Sequence, residues 1–176
     1  IAFILPNLPE THFTIWGGEA AGIVMAINPL LEAKQMAGLL NAANASVVVT
    51  LAPTPGSDLW PKLASQLDQL PRVKSVVWVS MEPYVAEPVR SILKTMALKE
   101  LNLHAGIAIH DWQSLMNIQP HTYLKSGRQI RPDECSSYIC TGGTTGLPKI
   151  AARTHGSEIF DAWAIDAHMQ PRRGVQ

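Results

Sequence analysis

The sequence predicts an α/β fold, a doubly wound, mostly parallel sheet flanked by helices, and three observations carry that prediction. Segments of strand character alternate with segments of helical periodicity along the whole chain. The first strand segment, Ile1 to Leu5, is a continuous apolar run, as expected of a strand buried on both faces. The composition, 47% hydrophobic and 16% charged, suits a buried sheet and excludes a disordered chain.

The elements follow in order. Pro6 ends the first strand, and Asn7 and Glu10 stand at capping-box spacing with Pro9 in the first turn. A helix is expected from there to about Met25, with Phe13, Trp16, Ala20 and Val24 on one face. Asn28-Pro29 breaks it. Met36, Leu39, Leu40 and Ala43 mark the next helix. Ser46 to Thr50 holds three consecutive valines and reads as a strand. After a turn at Pro53 to Ser57, a helix from about Leu59 to Leu70 faces inward through Leu59, Leu63, Leu67 and Leu70. Val73 to Val79 is the next strand. Val85, Val89, Leu93, Met96 and Leu101 form another amphipathic stripe. Ile107 to Ile109 reads as a short strand, and Asp111 caps a brief helix with Trp112 and Leu115. Residues 117–134 are polar and irregular, a surface loop or linker. Ser136 to Cys140 is a strand, Ile150 to Arg153 another, and Gly156 to Met169 a helix.

With 176 residues the chain is long enough for one domain with a real core. Lys plus Arg equals Asp plus Glu, at 14 each, which gives no support to a nucleic-acid groove or an acidic-membrane patch. Cys135 and Cys140 are too few for a disulfide framework and lack zinc-ligand spacing, so they read as reduced thiols of a cytoplasmic protein. No apolar run approaches the ~18 residues that span a bilayer. The chain opens without Met, in what reads as mid-strand, and is expected to be a piece of a longer polypeptide.

The segment that carries chemistry is Cys140-Thr-Gly-Gly-Thr-Thr-Gly-Leu-Pro-Lys149, directly after a strand. Gly142, Gly143 and Gly146 let backbone N–H groups approach a ligand closely. Thr141, Thr144 and Thr145 add hydroxyl donors, Pro148 stiffens the exit, and Lys149 returns a mobile positive charge. Such a concave, donor-rich segment suits phosphate oxygens. It is not a Walker loop, because Leu147 and Pro148 separate Gly146 from Lys149 and Ile150 follows. It is not the dinucleotide fingerprint either, because Gly142 and Gly143 are adjacent.

The segment resembles the signature loop of the adenylate-forming superfamily, which includes acyl-CoA synthetases, luciferases and peptide-synthetase adenylation domains. The common form reads Tyr-Thr-Ser-Gly-Thr-Thr-Gly-x-Pro-Lys-Gly. Thr141, Gly143, Thr144, Thr145, Gly146, Pro148 and Lys149 match it, whereas Cys140, Gly142 and Ile150 depart from it. Leu5-Pro-Asn-Leu-Pro-Glu10, the stretch from Ala21-Gly22 to Asn28-Pro29, and Thr154-His155 are similar to further segments of that family, so the likeness is nearly chain-long and weakest over about 81–131. Glu32 and Gln35 stand where many members have Thr and Glu.

The resemblance implies that residues 1–176 are an N-terminal fragment of an AMP-binding domain, without the family's C-terminal domain. It implies an ATP-dependent activation of a carboxylic acid, fatty or aryl, to an acyl adenylate, then thioester formation with coenzyme A. ATP, Mg2+ and coenzyme A are the implied cofactors. Thr141, Gly142, Gly143, Thr144, Thr145, Gly146 and Lys149 would bind the ATP phosphates, and no residue of this chain is assigned a catalytic or metal-ligand role. The family's adenine-binding Tyr-Gly-x-Thr-Glu segment, its ribose-binding Asp and its C-terminal lysine are absent from the sequence, so residues 1–176 alone are expected to be inactive. Two alternatives stand beside this reading: an adenylation domain that loads a carrier protein, and a non-catalytic α/β interaction domain.

Other residues have plainer readings. His155 is a capping or packing residue, with a ligand contact as the alternative. Trp16, Trp60, Trp78, Trp112 and Trp163 read as core or half-buried anchors, Trp163 with an acyl pocket as the alternative. Cys140 reads as an inert thiol, with a reactive one beside Lys149 as the alternative. Asp161, Asp166 and Arg172-Arg173 read as solvated. The signature loop is expected to be poorly ordered without nucleotide, and the fragment to expose an apolar patch and self-associate.

Overall fold

The computed structural model describes residues 1–103, 107–120, 122–141 and 149–169. The strands are β1 (Ala2–Ile4), β2 (Val24–Ala26), β3 (Val47–Leu51), β4 (Ser75–Val79), β5 (Ala108–Asp111), β6 (Cys135–Thr141) and β7 (Lys149–Thr154). The helices are α1 (Pro9–Ala21), α2 (Ala33–Ala42), α3 (Leu59–Ala64), α4 (Val89–Leu103), α5 (Trp112–Asn117) and α6 (His155–Met169). The sheet order is β5-β4-β3-β1-β2-β6-β7. Every neighbouring pair is parallel except β6–β7. The doubly wound, mostly parallel α/β sheet expected from the sequence is therefore present.

The central strands are buried along their length, as a sheet covered on both faces requires. Ala2, Ile4, Val48 and Val76 are fully enclosed. Thr50 is enclosed with them and satisfies its hydroxyl by donating to the Ile4 carbonyl at 3.2 Å. α1 and α5 cover the face that carries Val47, Val49 and Val77. α2, α3 and α4 cover the other face, where Trp78 packs edge-on against Trp60 of α3, with centroids 4.8 Å apart. Asn44, in the left-handed region at φ 49°, closes the end of α2.

Local signals set several boundaries. The Asp111 carboxylate accepts from the Ser114 N–H at 2.8 Å and caps α5, as its sequence predicts. The Gln35 side chain accepts from the Glu32 N–H at 3.1 Å, so both departures from the family pattern serve the start of α2. Residues 118–120 and 122–134 are irregular, and Arg128 among them donates to the Glu19 and Ala20 carbonyls at the end of α1. A cation there also complements the helix dipole.

Four expectations are corrected. The helix predicted to reach Met25 ends at Ala21, because Val24–Ala26 is drawn into the sheet between β1 and β6. Its inward face is Thr14 and Gly18; Phe13 and Trp16 are 53% and 65% exposed. Gly18 is there because α1 crosses β2 closely: a Cβ on it would stand 2.8 Å from Val24 Cγ2. The entry to α1 is bound by Thr11, which accepts from the Leu8 N–H and donates to the Pro6 carbonyl, in place of the Asn7–Glu10 capping box. The helix over 59–70 breaks after Ala64, and Leu67–Gln69 continues as a tighter turn that still buries Leu67.

Candidate phosphate-binding site

β6 lies beside β2 and ends, like the other parallel strands, at the carboxyl edge of the sheet. That edge is where open α/β sheets bind ligands. Thr141 closes β6 and Lys149 opens β7, and the two face each other across an antiparallel pair. The Thr141 hydroxyl donates to the Lys149 carbonyl at 3.2 Å. The chain therefore leaves and re-enters the sheet at one point, with residues 142–148 between. Gly142, Gly143, Thr144, Thr145 and Gly146, all assigned to phosphate from the sequence, lie outside the described residues, as does the expectation about their order.

Lys149 is exposed and forms no ion pair among the described residues. Its charge is thus available to an anion at the head of the hairpin. Cys140 packs beside β2, with Sγ 4.0 Å from the Ala26 carbonyl, and burial pushes its thiol pKa up. The thiolate is disfavoured there, which supports the inert reading.

Sequence reasoning missed what holds the far end of the hairpin. Opposite Thr154 and Arg153, β6 carries a bulge between Cys135 and Ser137, with Ser136 as the extra residue. Successive side chains of a regular strand point to opposite faces. Here the bulge lets both hydroxyls reach one oxygen: Ser136 and Ser137 donate to Glu158 Oε1 of α6 at 2.8 and 2.5 Å. Arg153 Nε of β7 lies 3.8 Å from the same oxygen, and its Nη2 donates to Asp161 at 2.9 Å. Burial by itself would raise the Glu158 pKa, but the hydroxyls of Ser137 and Ser136, a hydrogen bond from Glu19 and the charge of Arg153 outweigh it and hold the group below its usual range. Asp161, read as solvated, is an ion-pair partner of Arg153.

α6 begins directly at the end of β7. Thr154 Oγ1 accepts from the Ser157 N–H and Ser157 Oγ accepts from the Thr154 N–H, both at 3.2 Å. The reciprocal pair is a capping box with Ser in place of Glu or Gln, a form the usual pattern overlooks. The His155 N–H donates to the Glu134 carbonyl, and its buried Nε2 has no hydrogen-bond partner among the described residues. The tryptophans divide: Trp60 and Trp78 are buried and Trp112 half-buried, but Trp16 and Trp163 are largely exposed, contrary to expectation. α1 and α6 turn large apolar residues outward, and among the described residues nothing packs over them.

A mostly parallel sheet with helices on both faces, and with Thr141 and Lys149 paired at its carboxyl edge, defines an α/β domain of the open-sheet class. The chain belongs to the AMP-binding enzyme family, whose profile matches residues 1–176. It is 32% identical over 162 residues to the marinolic acid–CoA ligase of Pseudoalteromonas sp. (strain SANK 73390), covering 92% of this chain and 21% of that protein. It is 31% identical over 176 residues to the long-chain-fatty-acid–CoA ligase of Bacillus subtilis (strain 168), covering 94% of this chain and 30% of that protein. Among solved structures, the acetoacetyl-CoA synthetase from Streptomyces lividans superposes with a TM-score of 0.67 at 17% identity, over 92% of this chain and 22% of that one. The A domain of the carboxylic acid reductase from Segniliparus rugosus gives 0.67 at 12% identity, over 88% and 24%. At those identities the likeness is one of fold. The chain spans between a fifth and a third of the length of these relatives.

Proposed function

We propose that this chain supplies the ATP-phosphate grip of an AMP-forming acid–CoA ligase, as part of that enzyme's large AMP-binding domain, and that its substrate is a fatty rather than an aryl acid. The observation that carries the reading is the hairpin: Thr141 and Lys149 bracket the Gly/Thr segment at the carboxyl edge of the sheet, with the lysine charge unpaired among the described residues. The fatty-acid preference is supported by the long-chain-fatty-acid–CoA ligase of Bacillus subtilis.

In the reaction, a carboxylate oxygen attacks the α-phosphorus of ATP and the bond to pyrophosphate breaks. The thiol sulfur of coenzyme A then attacks the acyl carbon and AMP leaves. The chain's own contribution is to the leaving group. Backbone N–H groups of Gly142, Gly143 and Gly146, the hydroxyls of Thr141, Thr144 and Thr145, and the Lys149 ammonium would hold the β- and γ-phosphates. The donor set fits that role, since it is rich in N–H and O–H and carries one cation. Mg2+, when bound, supplies further neutralisation of the phosphate charge. Among the described residues no group of three or more His, Cys, Asp or Glu gathers to hold it. No described helix is long and apolar enough to cross a membrane. Cys135 and Cys140 are unpaired, which supports a cytoplasmic location.

The test is ATP–pyrophosphate exchange by the full-length protein with a panel of fatty and aryl acids. Lys149→Ala is expected to lower the exchange rate about a hundred-fold, with the KM for the acid little changed. An unchanged rate removes Lys149 from the phosphate grip. Residues 1–176 expressed alone are expected to show no exchange, and robust turnover would refute that expectation.

A further inference from the structure

We propose that Glu158 is a positioning residue for the phosphate hairpin, and that Glu19 of α1 sets how firmly it holds. The inference rests on the function proposed above and concerns residues outside the signature segment. Among the described residues, the Glu158 side chain meets both arms of the hairpin. Its Oε1 takes the Ser136 and Ser137 hydroxyls of β6 and faces Arg153 of β7. Because Glu158 sits on α6, one carboxylate joins the three elements that flank the loop. The β6 bulge makes this possible, so the bulge and the carboxylate form one device.

Glu19 approaches from the opposite side. With Glu158, Arg153 and Ser137 it lines a groove of about 350 Å3 between α1 and the β6–β7–α6 unit, walled by Trp16 and Ile139. The charged groups facing the pair are Arg153 from β7 and Asp161 from α6 through Arg153. Arg128 and Glu134, from the connection before β6, pair with each other beside the end of α1. One positive charge, Arg153, therefore meets three carboxylates. Two adjacent carboxylates in such a setting hold a proton between them. Burial, followed by the Glu158 charge, raises Glu19 to about 7, while Glu158 stays anionic. Below that range the Glu19 carboxyl donates to Glu158 and ties α1 to the hairpin. Above it both groups are charged and repel across the groove, and the tie is lost. Glu19→Gln places a permanent amide donor at the same position, so it mimics the protonated state at every pH.

The experiment uses the full-length protein and two readouts. Steady-state kinetics give the KM for ATP and for the acid between about pH 6 and pH 9. Hydrogen exchange reports the amides of β6 and β7 whether or not the protein is active. Glu158→Ala strands the buried Ser137 hydroxyl and leaves Ser136 only the Arg153 carbonyl, and is expected to raise the KM for ATP about ten-fold, to leave the KM for the acid within two-fold, and to speed hairpin exchange about ten-fold. Wild-type KM for ATP is expected to rise through neutral pH, and Glu19→Gln to flatten that profile. If Glu158→Ala does not fold, the near-isosteric Glu19→Gln still decides the matter. Unchanged hairpin exchange in Glu158→Ala, equal rises in both KM values, or a wild-type pH profile in Glu19→Gln would overturn the proposal. If no carboxylic acid supports pyrophosphate exchange, the function reading fails, and the hydrogen-exchange arm still decides the positioning role.

Discussion

Two adjacent glycines on α1 are expected to respond to the same substitution with opposite sign. Both lose the same backbone freedom, and in a helix interior Ala is favoured over Gly by about 1 kcal/mol. A Cβ on Gly17 meets nothing within 4 Å. A Cβ on Gly18 stands 2.8 Å from Val24 Cγ2 and 2.9 Å from Val24 Cβ. Comfortable carbon–carbon contact is about 3.5–4.0 Å, so the overlap is close to 1 Å. Rotating Val24 moves Cγ2 but leaves its Cβ in place, because β2 is fixed between β1 and β6. The helix must withdraw, and overpacking of this kind costs about 1–3 kcal/mol. Gly17→Ala should therefore stabilise by up to about 1 kcal/mol, and Gly18→Ala should end about 1–3 kcal/mol below it. Urea unfolding followed through the near-ultraviolet signal of the buried Trp60–Trp78 pair measures both midpoints in the same domain. Equal midpoints, or a more stable Gly18→Ala, would refute the close approach of α1 to β2.

Other outcomes follow from the same geometry. Gly156→Ala puts a Cβ 2.9 Å from the Pro132 carbonyl oxygen, a backbone atom that also accepts the Gly156 N–H at 2.8 Å, and should cost about 2 kcal/mol in the same unfolding assay. A value within error of wild type would mean the start of α6 is free to move. Ile159, Phe160, Trp163, Ile165 and Met169 are all largely exposed on α6, and residues 1–176 expressed alone should self-associate with rising concentration in sedimentation velocity. Replacing Phe160 and Trp163 by Ser should shift that balance toward monomer. A clean monomer across a hundred-fold concentration range would defeat the expectation.

Much of the molecule was legible as local pattern. The valine runs of β3 and β4, the Met36-Leu39-Leu40 face of α2 and the Asp111 cap all report conditions set within a few residues. The signature segment stands out for the same reason, since its glycines, threonines and lysine are concentrated in neighbouring positions. β2 was not. Its three residues continue the apolar pattern of α1, and only the open place between β1 and β6 makes them a strand. Nor was the inward face of α1, where the bulkier Phe13 and Trp16 outscore Thr14 and Gly18 in any count of hydrophobic residues, yet the sheet admits only the small ones.

The sequence by itself determined the fold class, the order of nearly all the elements, the place of the Thr141–Lys149 segment and the family. Each of these is written in periodicity or in neighbouring residues. Only the tertiary structure decided that α1 lies close enough to β2 to demand Gly18, that β6 and β7 run antiparallel, and that Glu19 and Glu158 meet. Those last two residues are separated by most of the chain, and neither carries a local sign of the other. Periodicity records which residues avoid water, but what covers them, and which charges face one another, depends on how the sheet closes the distance.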